Sequence, residues 1–397
     1  MNPLANFSIA RLPRIEFGKG AFTKTASFAA QFGRRALLVT GGRSLRATPH
    51  WDVLQTALKK NKMSWIDTQV HDEPSPTWVD TITAQLRGEH INVVIGVGGG
   101  SVLDAAKAIA GLLRVDHSVM DYLEGVGPEL SYEGPSVPLI AVPTTAGTGS
   151  EATKNAVLSV RGEAGFKKSF RHELLVPQYA VVDPDLLMTC SPELIAANGM
   201  DALTQLVESY VSTKSNVFTD ALAWDGIVAA CGGLLPWYEQ GASAEAARAR
   251  MGYAALISGI TLAQTGLGSV HGLAAPLGAF FPIPHGVVCG TLFATATQAN
   301  ILALRQREPN SVALEKYARI GRLGTGDGKI DDAAACDALV HKLEGWTQQL
   351  KLPRLSNYGM TPQDITRVVA NCRGSSMKTN PIVLTDAEVA TILVERL

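Results

Sequence analysis

The chain carries no CxxC pair, no excess of either charge, no uninterrupted apolar run of bilayer length and no internal repeat. Each absence removes a class of protein. Five cysteines, Cys190, Cys231, Cys289, Cys336 and Cys372, are odd in number and widely spaced, so neither a disulfide framework nor a structural zinc knot is expected. Lysine plus arginine number 35 against 36 acidic residues, a formal charge of -1, and the basic residues are scattered. Such a surface is not built for nucleic acid or an anionic membrane. The N-terminal MNPLANFSIARLPRIEF has no basic segment followed by an apolar run, and apolar stretches elsewhere are broken by Asp, Gly or Pro. The expectation is a cytoplasmic protein without a membrane partner.

A chain of 397 residues exceeds the size at which one hydrophobic core keeps growing, so two domains with a cleft between them are expected. The first half alternates short β-rich runs with helical patterns. ALLVTGG from Ala36, NVVIGVGGG from Asn92, PLIAVPTT from Pro138 and AVVDP from Ala180 read as strands ending in Gly, Thr or Asp. LRATPHWDVLQTALKKN, PSPTWVDTITAQLRGEH and SVLDAAKAIAGLL, with apolar residues at three- and four-residue spacing, read as the crossover helices between them. From about Ser191 long Ala- and Leu-rich helical patterns follow one another and strand runs disappear. The predicted fold is therefore an α/β nucleotide-binding domain with a parallel sheet, residues 1–187, followed by an all-α domain, residues 188–397. GTGDGKIDD around Gly324 reads as an exposed loop.

Two polar clusters follow predicted strands. In GVGGGSVLDAAKA, Gly98, Gly99 and Gly100 precede a helix whose first N–H groups are free for an anion such as a pyrophosphate. Ser101 is placed to cap that helix, and Asp104 and Lys107 in its first turns face either the ligand or solvent. In VPTTAGTGSEATKN, Thr144, Thr145, Thr148 and Ser150 bring hydroxyls to the carboxyl ends of the strands, where ligands bind in open α/β sheets. The alternative for each is a tight turn with local caps and no ligand.

Further along, NGMDALTQLVESY places Asp201 and Gln205 one helical turn apart, and GSVHGLAAPLGAFFPIPHG carries His271 and His285. Carboxylate and imidazole ligands converging from separate segments suit a catalytic divalent metal with an open position. The competing reading is two hydrogen-bonded histidines in a dry cleft. Glu208 and Asp225 read as hydrogen-bonded structural carboxylates, Phe170, Phe280 and Phe281 as core before pocket, and Cys289 as a small buried hydrophobe rather than a ligand.

Taken in order, GGGSVLDAAKAIA, PTTAGTGSEAT, AVVDPDL, MDALTQLVESYVS and GSVHGLAAPLGAFFPIPHGVVCG resemble the iron-dependent (group III) alcohol dehydrogenase family, over nearly the whole chain from Phe17 to Asn380. The resemblance implies a nicotinamide cofactor beside a divalent metal, iron or zinc, and hydride transfer between an alcohol and an aldehyde or ketone. It also implies a small-molecule partner and a homodimer or larger homo-oligomer. Position by position, Gly98, Gly99, Gly100 and Ser101 match the family's pyrophosphate loop, Thr144, Thr145 and Thr148 its nicotinamide-side contacts, and Lys167 a lysine near the cofactor. Asp201, His271 and His285 match three of the usual four metal ligands; the fourth, a histidine, is Gln205 here. A neutral amide oxygen is a weaker donor, so lower affinity or a changed metal is expected.

Two further departures bear on chemistry. Gly41 stands in VTGGRSL where NAD-preferring members often carry an acidic residue, and Arg43 and Ser44 could then bind a 2'-phosphate, so the sequence leans to NADP over NAD. Ala275 replaces a pocket histidine one turn after His271, so no catalytic residue is nominated: the substrate oxygen meets the metal and no dedicated histidine base serves it. The alternative functions are a metal-independent reductase of the maleylacetate reductase kind, and a nucleotide-binding protein without redox turnover; lyase-type chemistry also occurs on such scaffolds.

Overall fold

The structure, a computed structural model, describes residues 6–397. Six parallel strands form one sheet: β1 (Arg14–Phe17), β2 (Arg35–Gly41), β3 (Ser64–Val70), β4 (Val93–Gly98), β5 (Leu139–Pro143) and β8 (Tyr179–Val182), in the order β1-β8-β5-β4-β2-β3. A two-stranded antiparallel ribbon, β6 (Asn155–Val160) with β7 (Phe166–Arg171), lies outside it. The central strand VVIGVG is buried on both faces, the mark of a parallel sheet covered twice. Alternate residues serve opposite layers: Leu38, Ile95 and Val97 pack with helices α1 (Thr25–Ala29) and α2 (Pro49–Lys60), while Leu37, Val39 and Val94 pack with α3 (Pro76–Leu86) and α4 (Gly100–Leu112).

After β8 the chain is helical. α5 (Pro192–Val211) is buried along nearly its whole length and packs against α6 (Val217–Gln240), α7 (Glu245–Thr265) and α9 (His285–Arg307). α8 (Ser269–Phe280) lies on α9, and α10 (Val312–Thr325), α11 (Asp332–Gln349), α12 (Ile365–Asn371) and α13 (Asp386–Glu395) complete this part. A continuous core links α5 to α13. By length and composition α6 and α9 could cross a bilayer, but α9 is spent mostly on that core.

The fold class is as the periodicity predicts, an α/β parallel sheet with crossover helices followed by helices alone. All four nominated strands are present. Four strands were not anticipated: β1, β3 and the β6–β7 ribbon. β1 and β3 are the two edges of the sheet, with burial too partial to leave a continuous apolar run. β6 and β7 mix apolar residues with Asn155, Ser159, Lys167, Lys168 and Arg171, which obscures the alternation. The Thr325–Lys329 stretch is exposed, as GTGDGKIDD suggests.

Candidate functional site

The turn from β4 to α4 is packed tightly from below and from the side. A Cβ added to Gly98 would lie 2.5 Å from Val102, one on Gly99 would lie 3.3 Å from Thr145, and one on Gly100 would lie 2.8 Å from the Thr148 hydroxyl. None of the three has a positive φ. Glycine is thus needed for close approach, of Val102 at Gly98 and of the threonine loop at Gly99 and Gly100, rather than for an unusual backbone angle, and Thr144 N donates to Gly98 O at 3.0 Å to lock the two turns together.

Lys107 faces neither ligand nor solvent, contrary to the sequence reading. Its ammonium is fully buried and donates to Ser150 Oγ (2.7 Å), Thr153 Oγ1 (2.8 Å) and Asn155 O (2.7 Å). Ser150 Oγ in turn donates to Asp104 Oδ1 at 2.6 Å. Burial lowers the Lys107 pKa to about 8, against the pull of Asp104 and Glu151. Asp104 itself lines a cleft of about 620 Å3, together with Gly100, Ser101, Thr148 and Lys167. Gly98, Gly99, Thr144 and Thr145 support that wall from beneath, and Gly41, Arg43 and Ser44 lie at the end of β2, outside the cleft lining.

The opposite wall is helical and includes Gln205, His271, Ala275, Phe280 and His285. Asp201 and Gln205 share one face of α5, buried to 0% and 2% exposure. His271 is the third residue of α8 and His285 the first of α9. α8 is held at its N-terminus: Ser269 N donates to Asn380 Oδ1 (3.0 Å) and Val270 N to Glu208 Oε1 (2.7 Å). These two acceptors satisfy donors that a helix start leaves free. α9 reaches α5 because Gly286 and Gly290 leave no side chain between them; a Cβ on Gly286 would lie 2.7 Å from Ala197 O.

The result is a cluster. His271 Nε2 stands 3.3 Å and His285 Nε2 3.8 Å from Asp201 Oδ1, and Cys289 Sγ stands 3.5 Å and 3.7 Å from those two nitrogens. The four donor atoms lie within 4.8 Å of one another. Behind it, His271 Nδ1 pairs with Glu208 Oε2 at 2.6 Å, which fixes the ring and leaves Nε2 toward the cluster. Burial alone would lower the His271 pKa, but the Cys289 thiol and the Glu208 and Asp201 side chains override it and hold the value well above the ordinary one. At His285, by contrast, burial prevails and the pKa falls to about 4, and burial pushes the Cys289 thiol up to about 12. Asp201 Oδ2 is buried without any hydrogen-bond partner. An orphaned carboxylate oxygen among two imidazoles and a thiol is a donor set that fits a divalent cation.

So the structure brings Asp201, His271 and His285 together. Gln205 lies on the same wall, with Ser258 Oγ donating to its Oε1 at 2.9 Å. Cys289 is buried as expected, but its sulfur joins the donor cluster instead of serving only as packing. Its spacing of four residues from His285 on one helix was the available signal. Glu208 is the structural carboxylate foreseen, and Phe170 is core. Glu73 was missed: it lines the cleft, accepts from Ser159 Oγ and Lys167 Nζ at 2.6 Å each, and has a pKa that Lys167 holds low against the opposing effect of burial.

Comparison with known proteins identifies the family. Residues 13–184 match the profile of iron-containing alcohol dehydrogenases, and residues 195–397 that of the C-terminal region of the Fe-containing alcohol dehydrogenase family. The chain belongs to the iron-containing alcohol dehydrogenase family. It is 32% identical to 1-propanol dehydrogenase of Salmonella typhimurium over 79% of this chain and 78% of that one. With alcohol dehydrogenase 4 of Saccharomyces cerevisiae it shares 30% identity over 95% of each chain. Among solved structures, sulfoacetaldehyde reductase of Bifidobacterium kashiwanohense in complex with NAD+ superposes with a TM-score of 0.83 at 26% identity, covering 99% of both chains.

Proposed function

We propose that this oxidoreductase moves hydride between a nicotinamide dinucleotide and an alcohol, aldehyde or ketone, across the cleft between residues 1–187 and 188–397. The observation that carries the reading is the convergence of Asp201, His271 and His285 on the wall facing the Gly100–Ser101 turn. A divalent ion held there would supply Lewis-acid polarisation of the substrate oxygen. The residues of the chain do the rest. The α4 N-terminus with Ser101 and Thr148 receives the pyrophosphate, supported by Gly98, Gly99, Thr144 and Thr145. Asp104 and Lys167 orient the nicotinamide half, and Gly41, Arg43 and Ser44 meet the adenosine end, with NADP favoured over NAD. Ala275 offers no proton carrier, so the proton passes by the ribose hydroxyl or solvent. His271 is oriented by Glu208; Gln205 has its amide oxygen engaged by Ser258.

The enzyme is taken to be a cytoplasmic homo-oligomer; light scattering on the purified protein checks the oligomeric state, and cell fractionation checks the location. The functional test is hydride transfer with both dinucleotides on a panel of alcohols and aldehydes, before and after exhaustive chelation. Activity lost on chelation and restored by one equivalent of ion supports the reading. Full activity in chelated protein would point to the metal-independent reductase, and no hydride transfer on any substrate would remove the redox function.

A further inference from the structure

The ligand set that the family pattern leads one to expect is incomplete at Gln205. Its amide oxygen is a weak, neutral donor and already accepts from Ser258, and its amide nitrogen is no ligand at all. One turn into α9, however, a fourth atom of high metal affinity points at the same place. Cys289 is fully buried, four residues after His285 on the same helix, and its sulfur touches both imidazole nitrogens.

The spacing of these atoms is informative. A tetrahedral ion with bonds of about 2.3 Å to sulfur and about 2.0–2.1 Å to nitrogen or oxygen sets sulfur and nitrogen about 3.6 Å apart, and nitrogen and oxygen about 3.4 Å apart. Here Cys289 Sγ lies 3.5 Å from His271 Nε2 and 3.7 Å from His285 Nε2, and Asp201 Oδ1 lies 3.3 Å and 3.8 Å from the same two nitrogens. All four distances fall within a few tenths of an ångström of the tetrahedral values. Buried Asp201 Oδ2 has no hydrogen-bond partner, so beside Oδ1 this carboxylate keeps a second oxygen free for a cation.

We propose that Cys289 is a metal ligand, its thiolate taking the place that Gln205 leaves, so that the site is Asp201, His271, His285 and Cys289 rather than an oxygen- and nitrogen-only set. The inference rests on the metal-assisted reading above. It carries a selectivity: a thiolate with two imidazoles suits zinc over magnesium or manganese. Zinc can expand to five-coordination, so four protein ligands still leave room for substrate on the side of the cleft. Binding releases the thiol proton to solvent.

The test needs no assay of turnover. X-ray absorption on the zinc-loaded wild-type protein is expected to show one sulfur scatterer at about 2.3 Å. The cobalt-substituted protein is expected to show a near-ultraviolet thiolate-to-cobalt charge-transfer band. Cys289→Ser, close in volume, loses that band and weakens zinc binding roughly tenfold or more, while Gln205→Ala keeps the band. Zinc bound with only nitrogen and oxygen neighbours overturns the proposal but leaves metal-assisted hydride transfer standing. Failure of the wild-type protein to bind zinc, cobalt or ferrous iron overturns both. Because the absorption experiment uses the unaltered chain, a variant that misfolds does not rescue the idea.

Discussion

Gly41 has open space where a side chain would go: the nearest atom to an added Cβ is Val102 Cγ2 at 3.9 Å, and its φ is not positive. Gly41→Asp is therefore sterically tolerated, and its carboxylate would pair with a ribose hydroxyl and repel a 2'-phosphate. The ratio of kcat/KM for NAD over NADP should rise roughly tenfold or more, the effect of about 1.4 kcal/mol of discrimination. An unchanged ratio would place the adenosine end elsewhere. Glu151 is a second telling residue. Buried at 3% exposure, its carboxyl is pushed by burial from 4.5 to about 7, with Lys107 opposing. A folded-state value above the unfolded one means the native state binds the proton more tightly, so stability is highest below about 4.5 and falls as pH rises to about 7. Glu151→Gln should match the wild type in unfolding free energy from urea titration at acid pH and exceed it near pH 8, by an amount on the order of 3 kcal/mol. An equal difference at both pH values would mean that the carboxyl is not carrying a burial penalty.

Between elements, one very close approach is glycine on glycine. A Cβ on Gly259 of α7 would lie 2.1 Å from Gly149 O, and Gly149 itself has φ +60° in the turn carrying Thr148 and Ser150. Gly259→Ala should cost about 1–3 kcal/mol through overpacking and raise KM for the dinucleotide, because the threonine turn must move. Gly345→Ala on α11 meets nothing within 4 Å and should instead gain a few tenths to about 1 kcal/mol. Denaturant titration of both variants checks the contrast. Elements of this kind mark what was legible beforehand. β2, β4, β5 and β8 read as strands because both faces are buried and the runs are apolar; β3 (SWIDTQV) does not, since an edge strand owes its position to pairing with β2. For the site, Asp201, His271 and His285 could be nominated from residue type. That α9 would present Cys289 to the same point depended on Gly286 and Gly290 letting α9 close on α5, and Glu73 is held at the cleft by Ser159 and Lys167, 86 and 94 positions away. Contacts of such sequence separation leave no local periodicity.

For the molecule as a whole, the division of labour is that one wall of the cleft comes from a sheet and its turns, the other from α5, α8 and α9. The donor cluster is sealed from behind: side-chain exposure is 1% for Asp201 and 6% for His271, against 26% for His285, which faces the cleft. Of the cluster's residues His285 is the most exposed and lines the cleft, so an ion is expected to enter and leave on that side, where the proposed dinucleotide would lie. Ion exchange becomes a kinetic matter governed by cofactor occupancy: stripping by a chelator should slow several-fold when saturating dinucleotide is added, measured as release of radiolabelled or isotopically enriched zinc. A release rate indifferent to dinucleotide would mean a second exit. Where the rate does fall, a cell rich in nicotinamide cofactor would keep the enzyme loaded through a period of metal scarcity, with retention set by traffic through the cleft rather than by affinity alone.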